Sequence, residues 1–338
     1  MTKSAEPKPP PSCGVLVVDK PAGCTSHDVV GWARRVFATR EVGHAGTLDP
    51  GATGVLVVLI GEATKLSNWV TSEDKSYECE LCWGAETDTL DADGTVTRTT
   101  DAATPDADAI EREARAMLGA QQQIPPAVSA IKVGGVAAHE RVRRGESVEL
   151  AAREVELRSV RLLECSGDRA RFELEVSKGF YVRSFARDLA ARLSTLAHLT
   201  ALRRTRSGVF SVEEAVDGAR LREARADEAL RPAIRGSLIT LASLEGRMPT
   251  QRVASDVAER LLQGKRVDAP AAMGEGVHLI LAERSEWALP PQPIGLARRV
   301  EQSVVVVRNL VPGRVSSERL PWLDGAQSAL ASTEDAAR

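Results

Sequence analysis

The stretch Gly43–Val58, "GHAGTLDPGATGVLVV", sets a single carboxylate, that of Asp49, in a segment with four glycines and a proline. The apolar run Gly54–Gly61, "GVLVVLIG", is typical of a buried strand. A turn needs glycine and proline, but it does not need this many of them around one acid. The stretch therefore predicts a special turn in front of a strand, and it raises the question of what the carboxylate does there.

Three interpretations of this turn are open from its residues alone. Gly46–Thr53 has the glycine spacing of a P-loop, but Ala52 stands where the phosphate-binding lysine should be, and Asp49 would repel a phosphate. The aspartate can instead cap a purely structural turn. It can also be a nucleophile or general base, with glycines that let a substrate approach. Such a carboxylate needs a cationic partner, for which Arg183 and Arg187 are candidates.

The composition is that of a soluble globular protein long enough for two domains. The chain has 338 residues, 43% of them hydrophobic and 27% charged, with a formal net charge of −3. It has no 18-residue apolar run and its polar first residues do not resemble a signal peptide, so we expect a cytoplasmic protein without a membrane span.

Cys79 and Cys82 form a C-x-x-C, but on a predicted strand they point to opposite faces, and no second ligand pair completes a metal site.

The segment between Lys178 and Gly208 is strongly basic in an otherwise balanced chain. It has seven basic residues against the single acid Asp188. A solvated helix face and a nucleic-acid contact are both open interpretations of such a run. The seven residues are Lys178, Arg183, Arg187, Arg192, Arg203, Arg204 and Arg206.

Strand and helix patterns are interspersed without a regular βα alternation, which favours an α+β fold with a mixed sheet. Lys75–Gly84 alternates as a strand does, and Tyr181–Leu193 predicts an amphipathic helix. Asp106–Gly119 predicts a second helix that buries Ile110 and Leu118 on one face. We expect a disordered tail at 1–12, a catalytic domain at 13–245, a small C-terminal β domain at 246–313 and a disordered tail at 314–338.

Several motifs in register resemble the bacterial type of the TruB family of tRNA pseudouridine synthases, over residues 13–217. The family implies an α+β pseudouridine synthase fold, with a central mixed, mainly antiparallel sheet flanked by helices. The small C-terminal β domain is similar, more loosely, to a PUA module. The matching blocks are "GVLVVDKPAGCTSHDVV", "GHAGTLDPGATGVL", "DKSYECELCWGAETDTLDADG", "SKGFYVRSFARDLA" and "LTALRRTRSGVFSVEEA".

This resemblance implies isomerisation of uridine 55 in the T-loop of tRNA to pseudouridine, by a cytoplasmic monomer with no metal, organic cofactor or protein partner. Asp49 is then the catalytic carboxylate, Tyr77 stacks on the target base, and Arg183 pairs with Asp49. Leu202 lines the uracil pocket and His44 enters the RNA stack where the base leaves. The remaining matched positions are Lys20, whose role stays open between the site and a solvent-exposed turn, and the substrate-binding Lys132.

The chain departs from the family pattern at Val128 and His139, where family members commonly carry aromatic residues. We hypothesise that nearby arginines compensate through phosphate contacts. The basic segment after Lys178 is likewise expected to contact phosphates and to fix the register of the RNA. The compensating residues are Arg141, Arg143 and Arg144.

Two other functions remain open from the sequence. One is an RNA-binding or tRNA-folding protein whose modification activity is incidental. The other is a guide-RNA-dependent relative of dyskerin, although the form "DPGATG" of the Asp49 loop resembles the stand-alone bacterial enzymes.

Overall fold

The computed structural model describes residues 13–284 and 289–310, without the side chains of residues 133, 137, 139, 284 and 289–291. The two predicted tails, 1–12 and 314–338, therefore lie outside the described residues. So does the side chain of His139.

Eight α-helices are present in the described part of the chain, joined in places by short 3-10 turns. Their bounds are α1 Ser26–Val36, α2 Ser67–Ser72, α3 Ala107–Arg115, α4 Ala138–Arg143, α5 Val182–Arg192, α6 Gly218–Ala224, α7 Arg231–Gly236 and α8 Ser255–Leu262.

Twenty strands form four sheets within the same residues. The first ten are β1 Gly14–Lys20, β2 Val42–Ala45, β3 Thr53–Ile60, β4 Lys75–Trp83, β5 Ala85–Thr87, β6 Val96–Thr99, β7 Gly119–Gln123, β8 Lys132–Val133, β9 Val136–Ala137 and β10 Arg153–Ser166. The others are β11 Arg169–Val176, β12 Ala197–Ser207, β13 Phe210–Ser211, β14 Val216–Asp217, β15 Ile239–Thr240, β16 Thr250–Val253, β17 Val267–Asp268, β18 Val277–Arg284, β19 Leu289–Val300 and β20 Ser303–Asn309.

The largest sheet has eleven strands, with the order β14-β1-β3-β12-β4-β11-β10-β7 along its main path. The pairs β1–β14 and β3–β12 are parallel, and the other neighbours on this path are antiparallel. The predicted mixed, mainly antiparallel sheet is thus confirmed. Because β12 runs between β3 and β4, it brings residues near 202–204 beside the end of the Asp49 loop and beside Tyr77.

The local patterns explain these elements. From Val55 to Ile60, β3 is buried on both faces, as its unbroken apolar sequence predicts, whereas β4 alternates buried and half-buried residues. Helix α1 begins with a capping box in which Thr25 and Asp28 bond each other's backbone N–H groups. Helix α5 turns a continuous buried face to the sheet, and this face includes Arg183.

One predicted helix was too long. Helix α3 ends at Arg115, and Leu118, expected in the core, is 47% exposed. The reason is the turn at Gly119, which has φ +96° and redirects the chain into β7.

A second sheet of five strands, β16-β18-β19-β20-β17, lies in the predicted C-terminal domain, together with α8. Its core is not fully separate, because Leu279 and Leu281 belong to the same apolar cluster as Val15 and Val17 of β1. A second cluster, around Ile280 and α8, lies within the C-terminal sheet itself. No helix of the described residues is both long and apolar enough to cross a membrane.

Candidate active site

The turn that carries Asp49 is fixed from the side of β1 and α1. The buried Ser26 hydroxyl donates to the Leu48 carbonyl over 3.1 Å and accepts from the Leu48 N–H over 2.9 Å. On the other side of the aspartate, the Pro50 carbonyl accepts from the Lys20 ammonium over 3.1 Å. The residues before and after Asp49 are therefore both bonded to a neighbouring element.

Lys20 is fully buried, so the interpretation of this residue as a solvent-exposed turn lysine is wrong. Its ammonium also donates to the carbonyls of Pro21 (2.9 Å) and Cys24 (2.8 Å). Burial lowers the pKa of Lys20, while the nearby Cys24 thiol and Asp49 carboxylate oppose this shift. With three carbonyl acceptors, the ammonium ties the Lys-Pro turn to the Asp49 loop.

Arg204 of β12 also holds the Asp49 loop. Its side chain is buried, with 1% exposure, and its guanidinium donates to the carbonyls of Val55 (2.7 Å), Gly46 (2.8 Å) and Thr47 (3.5 Å). These three carbonyls lie at the two ends of the Asp49 turn. One planar fork thus connects both ends of the loop, a geometry that a lysine cannot reproduce.

Two glycines of the loop are required by its backbone and by the strand beside it. Gly54 has φ +99°, and a Cβ at this position would lie 2.1 Å from the carbonyl oxygen of Arg204. Gly46 has φ +83°, and its Cβ would lie 3.4 Å from the Arg204 guanidinium. Glycine is needed at both places because the backbone is left-handed and β12 passes directly beside it.

Arg183 of α5 pairs with Asp49. Its Nε lies 3.0 Å from Asp49 Oδ2, and the two side chains are 5% and 40% exposed, respectively. The guanidinium is further fixed by donation to the carbonyls of Thr89 (2.8 Å) and Val128 (3.0 Å). A cation held by this many bonds orients the carboxylate that it contacts.

Asp91 is a second carboxylate at this arginine, and the sequence analysis did not single it out. Its Oδ2 lies 3.6 Å from Arg183 Nη1, and its Oδ1 accepts from the Thr89 hydroxyl over 2.6 Å. The available signal was the acid-rich end, "TDTLDADG", of one of the blocks that resemble the family. Arg183 therefore lies between two acids, one on each side of its guanidinium.

The protonation of Asp49 depends on opposing influences. Burial raises the pKa of Asp49, and the charge of Asp91 adds to this effect. The contact with Arg183, and more weakly the charge of Lys20, lowers it. A carboxylate with a raised pKa is a stronger base or nucleophile than an ordinary surface aspartate, while the arginine favours its ionised form.

Two cavities meet at the Asp49–Arg183 pair, and Leu202 of β12 lines both. The first has a volume of about 210 Å³ and includes Asp91 and Thr200 in its wall. The second has about 270 Å³ and contains Tyr77. Asp49, Arg183, Leu202 and Tyr77, which are far apart in sequence, are thus brought to one place.

Tyr181 is a further wall residue of the second cavity that the sequence analysis did not select. Its backbone N–H donates to Gln123 Oε1 over 2.8 Å, and its carbonyl accepts from Gln123 Nε2 over 3.2 Å. Burial raises the pKa of Tyr181, while Arg153 and Arg183 oppose the shift. The raised pKa favours the neutral phenol. Tyr181 is the N-cap residue of α5 and lies two residues before Arg183.

Comparison with known proteins fits this geometry. The family model of the TruB family pseudouridylate synthases (N-terminal domain) matches residues 34–182. A protein of Thermobifida fusca named tRNA pseudouridine synthase B is 41% identical over 293 residues, which cover 82% of this chain and 97% of the relative. The chain belongs to the TruB family. A protein of the same name from Mycobacterium avium is 52% identical over 206 residues, 60% of this chain and 67% of the relative.

Solved structures extend the likeness of this TruB family member to the whole fold. A chain of the Cbf5–Nop10–Gar1 complex superposes with a TM-score of 0.68 at 21% identity, covering 92% of both chains. A chain of the archaeal box H/ACA sRNP Nop10–Cbf5 complex gives 0.66 at 21% identity, covering 89% of this chain and 87% of the other. The predicted fold class is confirmed, including the small PUA-like β domain.

Besides Lys20, two of the matched residues of this TruB protein do not line either cavity. His44 lies on β2, half-buried, and burial lowers its pKa with additional effects of Arg204 and His27. Its Nδ1 is a buried atom without a hydrogen-bond partner. Lys132 is exposed at the start of the short β8–β9 hairpin. The structure therefore leaves both outside the group around Asp49.

The basic segment of this TruB protein is held by contacts within the protein, and its expected binding of phosphates stays a prediction. Each of its six arginines contacts a carboxylate or a carbonyl of the protein, and Arg204 is buried. Arg203 pairs with Asp19 over 2.7 Å and Arg206 with Glu175 over 2.6 Å. Arg183 pairs with Asp49 and Asp91, Arg187 with Asp188, and Arg192 with Glu113. Arg204 donates to carbonyls of the Asp49 loop. Their charges are thus largely matched within the fold, because β12 and α5 run next to acidic strands and turns.

The chemistry of the site rests on acid, base and stacking groups. Among the residues that the structure describes, no group of three or more His, Cys, Asp or Glu side chains could hold a metal ion. Cys79 is buried and Cys82 half-buried on β4, as expected for strand residues that point to opposite faces. An oriented carboxylate, its arginine and two phenols surround the cavities instead.

Proposed function

We propose that this chain isomerises uridine 55 in the T-loop of tRNA to pseudouridine. The observation that carries the proposal is the Asp49–Arg183 ion pair of 3.0 Å at the junction of two cavities, one of which contains Tyr77. The relatives named tRNA pseudouridine synthase B support tRNA as the substrate. Family membership supports the isomerase chemistry.

The reaction needs no external reactant. The bond between N1 of uracil and C1′ of the ribose breaks, the base rotates, and C5 bonds to C1′. The proton at C5 leaves and N1 gains a proton, so that atoms and electrons balance. One carboxylate suffices for either of two routes, a covalent attack by Asp49 on the sugar or base, or removal of a proton from the sugar.

The buried neighbours of Asp49 supply orientation in this proposal. Arg183 holds Oδ2 and favours the ionised carboxylate, against the burial that raises the pKa of Asp49. The carboxylate is 40% exposed toward the cavities, so a substrate can reach it. Leu202 then packs beside the uracil, since it lines both cavities.

Tyr77 is proposed to receive the flipped base. A uridine in a folded loop must leave its stack, which costs a few kcal/mol, and stacking on an aromatic ring returns about 1–3 kcal/mol. Tyr77 can also take part in the proton transfers. His44 is proposed to enter the RNA stack in place of the base, and Lys132 to bind the RNA from its exposed hairpin.

The region of Val128 and His139 is proposed to bind phosphates through its arginines. Arg143 and Arg144 are exposed, and Arg141 lies 3.4 Å from Glu146. If these three residues contact phosphates, replacing all three with alanine reduces the steepness of the salt dependence of tRNA binding. An unchanged salt dependence would contradict this part of the proposal.

The proposal also includes the oligomeric state, the localisation and the roles of the two domains. The enzyme acts as a cytoplasmic monomer without a protein partner or a cofactor. Residues 13–245 form its catalytic domain, and the PUA-like domain at 246–313 adds contacts to the acceptor end of the tRNA.

The test is direct. Purified protein is incubated with an unmodified tRNA transcript, and pseudouridine is mapped chemically along the product. Pseudouridine at position 55, and at no other uridine, is the expected result. Modification of a different uridine, or of none, would overturn the substrate assignment.

A further inference from the structure

Lys75 is a buried lysine in the wall of the Tyr77 cavity, and the reaction proposed above does not use it. It lies two residues before Tyr77 on β4, on the same buried face of that strand. Both side chains line the cavity of about 270 Å³ that reaches Asp49. Because strand residues advance by about 3.3 Å each, the Cα atoms of Lys75 and Tyr77 are about 7 Å apart.

The ammonium of Lys75 is held in place by the chain before β4. It donates to the carbonyl of Thr71, at 2.6 Å, and to the carbonyl of Glu73. An ammonium has three N–H donors, so these two bonds leave one for a ligand. The two carbonyls fix the direction of the side chain without neutralising its charge.

Charges of both signs act on Lys75. Arg204 of β12 and Lys178, which follows β11, both act on it as like charges. Glu73 and Asp74 are the nearby acids, and Asp74 is already paired with Arg158 at 2.8 Å. Burial, and next Arg204, lower the pKa of Lys75 to about 8. Burying an ammonium is costly and Arg204 adds to this cost, so an anion that bonds the ammonium is favourable.

We propose that Lys75 binds the backbone phosphate of the target nucleotide, an inference that rests on the proposed isomerase function. The base occupies the Asp49–Tyr77 end of the cavity, and the ribose leads from there toward Lys75. Every nucleotide of an RNA substrate carries a phosphate as its anion, and the ribose separates that phosphate from the base. Its binding adds the charge-assisted hydrogen bond that the free ammonium lacks.

The test removes each charge of this contact separately. Wild type and Lys75→Met act on two synthetic T-arm hairpins, one with a normal phosphate 5′ to the target uridine and one with an uncharged methylphosphonate there. On the normal hairpin, Lys75→Met is expected to raise KM about tenfold with kcat nearly kept. On the methylphosphonate hairpin, wild type already shows the raised KM, and Lys75→Met adds less than twofold.

Two further variants separate charge from fold. Lys75→Arg keeps a cation and is expected to stay within about threefold of wild-type KM on the normal hairpin. Lys265→Met removes an exposed lysine in the C-terminal domain, whose proposed contacts are to the acceptor end that both hairpins lack, and should leave KM unchanged on both. The inference is wrong if Lys75→Met raises KM, relative to wild type, by the same factor on both hairpins. It is also wrong if Lys75→Arg raises KM on the normal hairpin as much as Lys75→Met does. In either case Lys75 only fastens the end of α2.

A pH series gives an independent check. As pH rises through about 8, Lys75 of the free enzyme loses its proton, so kcat/KM of wild type should fall. The fall should disappear in Lys75→Arg, because a guanidinium stays charged, and its persistence there would count against the inference. If wild type forms no pseudouridine in the normal hairpin, the proposed function fails instead, whatever the behaviour of Lys75.

Discussion

The two large sheets of this protein differ in the residues they bury. Four lysines and arginines are buried in the described part of the chain, and all lie within 13–245: Lys20, Lys75, Arg183 and Arg204. Among the described side chains of the five-stranded C-terminal sheet, the buried residues are apolar apart from His278. Burying a cation is unfavourable without matching acceptors, so folds do so rarely.

The buried cations are all close to Asp49. Each of the four buried cations contacts the Asp49 turn or lines a cavity that reaches Asp49. The C-terminal sheet follows the ordinary pattern of an apolar core. Violations of that pattern concentrate at functional sites, so substitutions in the first region should change catalysis and those in the second should change stability.

The largest effect is expected from Asp49→Asn. The amide keeps the shape of the side chain but cannot attack or accept a proton as the carboxylate does, so product formation should fall by at least about 10³-fold. Pseudouridine formation and tRNA binding are measured on the same preparation. Binding should stay within about threefold. If binding is lost together with product, the residue holds the RNA rather than reacts, and if product persists, the protein is not the isomerase proposed here.

Arg183→Lys should be next. A lysine cannot reach Asp49, Thr89 and Val128 together, so kcat should fall by about 10²-fold. The matched control is Arg187→Lys, one turn further along α5, where the arginine pairs with Asp188. This control should lose less than about threefold in single-turnover rate. Equal losses in both variants would mean that α5 as a whole, and not its contact with Asp49, determines the rate.

Arg204→Lys should lower kcat by about tenfold and leave KM unchanged, because it loosens the Asp49 turn without removing a group that contacts RNA. Arg203→Lys, at the adjacent position and paired with Asp19, is the control and should behave as wild type. Kinetics at several RNA concentrations separate the two constants. A change in KM alone would show that Arg204 binds substrate and does not position the loop.

The smallest effect on activity is expected from Leu281→Ala in the C-terminal sheet. Leu281 is fully buried in the cluster that also contains Val15 and Val17. The variant should lower the free energy of unfolding by about 2–5 kcal/mol, measured with denaturant, and should keep kcat at a temperature where it is folded. A loss of kcat in the folded variant would remove the contrast between the two regions.

Much of the fold could be predicted from local patterns. The alternation of β4 and the apolar run of β3 both predicted strands, and the structure confirms them. The pattern failed at Leu118, since helical periodicity continues past the point where Gly119 turns the chain. Periodicity describes which residues prefer to be buried, but the end of a helix depends on what the chain meets next.

The site was predicted only in part, for a similar reason. The motifs pointed to Asp49, Tyr77, Arg183 and Leu202, which the structure assembles around two cavities. Asp91 and Tyr181 were missed because an acid in a turn and an aromatic before a helix are ordinary by themselves. The arginines after Lys178 were interpreted by their number, whereas their charges are matched by partners distant in sequence, such as Asp19 for Arg203.

The sequence alone determined the strands and helices, the glycine-rich turn around Asp49 and the family, because these depend on residue types at short and fixed spacings. The fold, and not the local sequence, places Lys20 and Arg204 against the Asp49 turn and Arg183 between two acids. The effect of a charge depends on its distance to partners and on its burial. Both quantities are set by the packing of strands and helices far apart in the chain.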